Sequence, residues 1–182
     1  MKIHLVPTPL VRQAADGWLF FVFQDEPLPV PGSDALSRRL DRMLKDWRAR
    51  HDFSGKLNQT AVLASWESLP ARTLVLAGLG RKKDFHLARL GQAAASAARA
   101  IRRHRCANLA VSLRLPGCPG DPPPETIGET LTAALHYGHY AFTRFFSSSK
   151  ERKGEKVPDL VFTDAPAGSP GLARRLSEAA AA

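Results

Sequence analysis

Thr73-Leu74-Val75-Leu76-Ala77-Gly78-Leu79-Gly80-Arg81-Lys82-Lys83-Asp84 passes from an unbroken apolar run through two glycines into three basic residues. An alanine-rich segment follows it. The apolar run has no polar break, the pattern of a buried strand. The spacing predicts a strand over 73–77, a tight Gly-Leu-Gly turn that ends it, and a helix beyond the basic cluster. In that helix Leu87, Leu90, Ala94, Ala97 and Ile101 recur at three- and four-residue intervals. Arg89, Arg99, Arg102 and Arg103 are expected to face away from this stripe. The small alanine side chains allow the helix to lie close against a sheet. Strand, glycine turn and helix in this order is an arrangement that binds phosphate in α/β enzymes.

Working outward, Met1 to Val6 reads as a first strand, broken by Pro7 and Pro9, and Trp18 to Phe23 as a second, apolar on both faces. Pro27 to Gly32 blocks regular structure. Ser33 is then expected to cap a helix in which Leu36, Leu40, Met43, Leu44 and Trp47 form one stripe, with Arg38, Arg42 and Lys45 opposite. Thr60 to Trp66 and Asn108 to Leu113 read as further strands, and the proline-rich 116–124 segment as a loop. A helix is expected from about Glu125, a basic loop over 147–156, a last strand over 159–163 and a final helix from Gly168. That helix ends at Ala182 without a C-cap glycine, and the expectation is a linker toward a further domain. Alternating strands and helices predict an α/β fold around a central sheet. Early strands without an intervening helix predict a mixed sheet.

The chain has 182 residues, enough for one domain with a sizeable core. No apolar run approaches the roughly 20 residues that span a bilayer, so a membrane partner is not expected. Two cysteines, Cys106 and Cys118, make no disulfide framework, and a reducing cytoplasm is the default. Lys and Arg number 26 against 17 Asp and Glu, a formal charge of +9 that favours an anionic partner such as nucleic acid.

Four blocks, in order, resemble the N-terminal domain of the leucyl aminopeptidase (cytosol aminopeptidase) family. They are Phe53-Ser54-Gly55-Lys56, Leu74 to Lys83, Gly91 to Arg103, and Gly128 to Lys150 with Tyr140-Ala141-Phe142-Thr143-Arg144-Phe145. In the last, Ala141 and Thr143 stand where the family pattern has arginine and aspartate. The resemblance implies a three-layer α/β/α sandwich, macro-domain-like, over residues 1–167, with 168–182 starting a helical linker to a C-terminal catalytic domain. It also implies that peptidase chemistry, with two divalent metals (zinc or manganese) held by lysine, aspartates and a glutamate, belongs to that catalytic domain. None of its motifs occurs here, so no catalytic, cofactor-binding or metal-ligating residue carries over. The partners it implies are that catalytic domain and neighbouring subunits of a homo-hexamer; some bacterial members of the family also bind DNA.

Other candidate sites are thin. The dinucleotide fingerprint needs a third glycine where Lys83 stands. His136 and His139, and His104 with Cys106 and Cys118, lack a further ligand of suitable spacing. Ser147-Ser148-Ser149 has no partnering base. The basic clusters remain as possible anion or nucleic-acid contacts: Arg81, Lys82 and Lys83 on a loop, and Arg99, Arg102 and Arg103 on a helix, against the ordinary reading of solvated helix faces. The expectation is a non-catalytic accessory domain that supports oligomer assembly and active-site access. The alternatives are a nucleic-acid-binding regulatory domain and an ADP-ribose-binding macro-like module.

Overall fold

The computed structural model describes residues 1–27, 34–65, 69–102, 104, 106–115, 117–139, 158–166 and 170–181. The expected basic loop over 147–156, the Tyr140–Phe145 motif, Arg103 and Arg105 lie outside them. The strands are β1 (Ile3–Leu5), β2 (Ala15–Phe23), β3 (Thr60–Ala64), β4 (Ala71–Gly80), β5 (Asn108–Ser112) and β6 (Asp159–Thr163). The helices are α1 (Ala35–Arg50), α2 (Leu87–Ile101), α3 (Pro124–His139) and α4 (Pro170–Ala181). The strands form one six-stranded sheet in the order β1-β6-β5-β2-β4-β3. Every pairing is parallel except β3 with β4, so the sheet is mixed as expected.

The twofold periodicity of β2 divides the core. Leu19, Phe21 and Phe23 pack under α2, α3 and α4, whereas Trp18, Phe20 and Val22 pack under Leu40 and Leu44 of α1. Alternate side chains of a strand leave on opposite faces, so a strand covered on both sides is apolar throughout. The result is a three-layer α/β/α sandwich. The alanines of α2 act as foreseen: Ala93, Ala94, Ala97 and Ala98 are fully buried between the sheet and α3. At the far end of α3, Gly138 meets α2 so closely that an added Cβ would stand 2.5 Å from the Ala95 carbonyl oxygen.

Three local expectations are corrected. Gly78-Leu79-Gly80 does not end the strand; β4 runs through it to Gly80. The cap of α1 is Asp34, not Ser33: its carboxylate accepts the Ser37 N–H at 2.8 Å. The buried arc of α2 is wider than one stripe and takes in Ser96, because a sheet and a second helix cover it from two directions. Helix α4 packs on the domain, with Leu172 and Leu176 inside the core.

Candidate functional site

The C-terminal ends of the parallel strands are where an α/β sheet ordinarily presents a ligand site. Here that edge is built chiefly to hold its own loops. The Gly78 N–H donates to the Gln59 carbonyl at 2.8 Å, and the Gly80 N–H to the Gly55 carbonyl at 3.0 Å. The 55–56 backbone lies directly over Gly78, where any Cβ would collide with the Lys56 carbonyl oxygen. Both glycine N–H groups that a phosphate would need are therefore taken by the chain.

Two side chains that sequence reasoning passed over fix this arrangement. The Gln59 carboxamide oxygen accepts from the N–H groups of Ser54, Gly55 and Lys56 at 3.0–3.2 Å. The Arg48 guanidinium, at the end of α1, donates to the carbonyls of Phe53, Ser54, Glu26 and Gln24. A planar fork of donors suits several converging carbonyls. One arginine thus ties α1 to the loop after β2 and to the Phe53–Lys56 turn. Neither residue sits in a recognisable motif, since their partners are backbone atoms.

The basic cluster behind β4 is compensated at Lys82. Lys82 Nζ lies 2.9 Å from Glu26, the Lys82 N–H donates to Asp25, and Arg89 lies 3.7 Å from Asp84. Arg81 and Lys83 are exposed. Beside them a depression of about 600 Å³ is lined by Leu113, Arg114, Gly117, Asp121 and Ile127. Cys118, next in sequence to Gly117, has its thiol pushed up to about 11 by burial and then by Asp121, against a smaller opposing effect of Lys82.

At the opposite end of the sheet a second depression, about 610 Å³, includes Asp16, Ser65, Arg72 and Asn108. The Asp16 carboxylate accepts from the N–H groups of Ala107 and Asn108, while the Asn108 side-chain oxygen accepts the Asp16 N–H at 2.8 Å. This reciprocal pair aligns the starts of β2 and β5. Cys106, two residues before β5, has its thiol raised to about 12, first by burial and then by the Asp16 charge.

The sequence-predicted basic residues are not brought together. Lys82 and Lys83 precede α2, whereas Arg99 lies twelve residues into it, roughly 18 Å further along at 1.5 Å per residue. Arg99 donates to Ser96 Oγ at 2.8 Å, and Arg102 follows the last turn. The cysteines likewise flank opposite ends of β5. Among the described residues, no group of three or more His, Cys, Asp or Glu is gathered that would hold a metal ion.

Comparison with known proteins agrees with this architecture. The chain is 29% identical over 162 residues to a probable cytosol aminopeptidase of a Cyanothece strain, covering 88% of the chain and 32% of that relative. It is 36% identical over 158 residues to one from Microcystis aeruginosa, covering 86% and 31% respectively. The chain thus spans about a third of the length of the curated relatives it matches. A tomato leucine aminopeptidase mutant superposes with a TM-score of 0.74 at 20% identity, over 98% of this chain and 35% of its own. The macrodomain of Mycobacterium tuberculosis DarG superposes with a TM-score of 0.57 at 12% identity, over 88% of this chain and 96% of its own, a likeness of fold alone. A model of the "cytosol aminopeptidase family, N-terminal domain" matches residues 19–149. By that match over most of its length, the chain belongs to the cytosol aminopeptidase family, as its N-terminal domain.

Proposed function

We propose that this chain is the non-catalytic accessory domain of a leucyl-aminopeptidase-like metallopeptidase in the cytoplasm. Its work is architectural: shaping contacts between subunits of a homo-hexamer and access to the active site of its own C-terminal catalytic domain. Metal-assisted hydrolysis of N-terminal peptide bonds, with two zinc or manganese ions, belongs on this reading to that catalytic domain. Helix α4 is the proposed lead into it. Arg81 and Lys83 before α2, and Arg99 and Arg102 at its far end, are the proposed anion contacts, as two separate patches.

One observation carries the reading. At the strand ends, where a ligand would sit, the glycine N–H groups and the Arg48 and Gln59 side chains are committed to holding loops. Such an edge serves a rigid support better than a reaction centre.

The test is turnover of leucine p-nitroanilide by the purified chain with manganese or zinc added. The expected result is no release of nitroaniline above the metal blank; metal-dependent turnover overturns the reading. The coding sequence gives a second check. The expected result is an adjoining or interacting product that carries the acidic metal-binding motifs, and the absence of both sinks the assignment.

A further inference from the structure

The two edges of the sheet are built differently. At one edge β1 has three residues, follows exposed Lys2, contains exposed His4 and is followed by Pro7 and Pro9. Charge, brevity and proline are the devices that protect a sheet edge from adding another strand. The strand at the other edge has none of them within it and is five residues long. Gln59-Thr60-Ala61-Val62-Leu63-Ala64-Ser65 contains no charge and no proline, and β3 pairs with β4 from Thr60 to Ala64 without a register break. Among the described residues, β4 is the sole sheet neighbour of β3.

The ladder fixes which groups point outward. The Gly78 N–H donates to the Gln59 carbonyl and the Ser65 N–H to the Arg72 carbonyl, at 2.8 and 2.7 Å. In an antiparallel pair, hydrogen-bonded positions alternate with non-bonded ones. Positions 59, 61, 63 and 65 therefore face β4, and the N–H and C=O groups of Thr60, Val62 and Ala64 face away from it.

The charge around this edge is mostly basic, although Arg89 is paired with Asp84 and Asp52 adjoins Phe53. The segments that form it, Phe53–Ser65, Ala71–Gly80 and Leu87–Ile101, carry Lys56, Arg72, Arg89 and Arg99 and not a single Asp or Glu. Arg99 is held toward β3 through Ser96, whose hydroxyl lies 3.3 Å from the Asn58 side-chain oxygen. Two copies of such an edge would repel across a two-fold axis, in a chain of net charge +9. An acidic strand would not.

We infer that the β3 edge is a docking site for an extended, acidic peptide segment of a partner protein, which adds to the sheet as a seventh strand. Main-chain hydrogen bonds from Thr60, Val62 and Ala64 give the affinity, and Lys56 and Arg99 select for acid.

The experiment is residue-resolved amide hydrogen exchange on the full chain, with and without the capped peptide Glu-Val-Glu-Val-Glu-Val-Glu. Protection is expected at the amides of Thr60, Val62 and Ala64 but not at Ala61 and Leu63, which already bond to β4. Peptide anisotropy then gives the affinity, which falls about tenfold when the central valine is replaced by proline, the equivalent of one hydrogen bond. A Lys-Val counterpart is expected not to bind. Ala64→Pro removes an outward N–H at an exposed position and is expected to weaken binding about tenfold, the same equivalence. Arg99→Glu is expected to weaken it and to flatten its salt dependence. The inference is overturned by absent protection, by equal binding of the Lys-Val or proline-interrupted peptide, or by protection that rises with protein concentration alone. The last result would assign the edge to a second copy. Protection of the same amides by duplex DNA would assign it to nucleic acid, with the same consequence.

Discussion

Gly78 is the position at which one added methyl group does most harm. It lies inside β4, beneath the Gly55–Lys56 backbone, where a Cβ meets the Lys56 carbonyl oxygen. That atom is main chain and accepts the Gln59 N–H at 2.9 Å, so it cannot turn aside as a flexible side chain would. Gly78→Ala is expected to lower stability by about 2–3 kcal/mol, read from urea unfolding, as overpacking does. The cysteines make a second prediction at this scale. Burial, then the Asp16 charge, raises the Cys106 thiol from an ordinary 9.0 to about 12. The folded chain therefore keeps that proton at pH values where the unfolded chain has lost it. The stabilisation is whole below about pH 9 and fades as pH rises toward about 12. At pH 8 Cys106 should label slowly with a thiol reagent in the native protein and rapidly in urea; equal rates would contradict the burial. Sequence showed that Gly78 and the cysteines exist, but not what stands over them.

Among the elements, α1 shows how far a sequence locates a helix and where it stops. Its apolar stripe predicted a helix packed on a sheet, and Leu40 and Leu44 are fully buried. Its cap was misplaced by one residue, because Ser33 and Asp34 are both good caps and only the backbone path decides between them. The Ser37 N–H, and then Arg12, hold the Asp34 carboxyl down at about 2 from an ordinary 3.8. A depressed carboxyl contributes stability above the unfolded value and loses it as pH falls, here between about 4 and 2. Asp34→Asn keeps a competent cap. It is expected to leave the neutral-pH melting temperature nearly unchanged while flattening its fall below pH 4, and a steeper acid slope would sink the assignment. β4 is the opposite case. Two glycines in an apolar run signal a turn more often than a strand. The strand continues because the folded-back 55–59 loop supplies hydrogen bonds to both glycines and needs their missing side chains.

At the scale of the whole molecule, α4 is part of the sandwich. Leu176 is fully buried, and its methyl groups close over Gly128 of α3, where an added Cβ would come within 2.8 Å of them. Leu176→Ala is expected to cost about 3 kcal/mol in urea unfolding, as buried leucine truncations do. A loss below about 1 kcal/mol would mean that the helix is only loosely attached, since well-placed surface changes cost that little. The sequence by itself determined the α/β class, the mixed sheet, the apolar faces of α1 and α2 and the family. Each follows from short-range periodicity or from local blocks in a fixed order. Only the tertiary structure decided that Gly78-Leu79-Gly80 is strand, that Arg81, Lys82 and Lys83 lie far from Arg99, and that β3 stands at the edge of the sheet. The physical reason is the same throughout: these properties depend on which distant backbone atoms come to lie beside a residue, and no local pattern of side chains encodes that proximity.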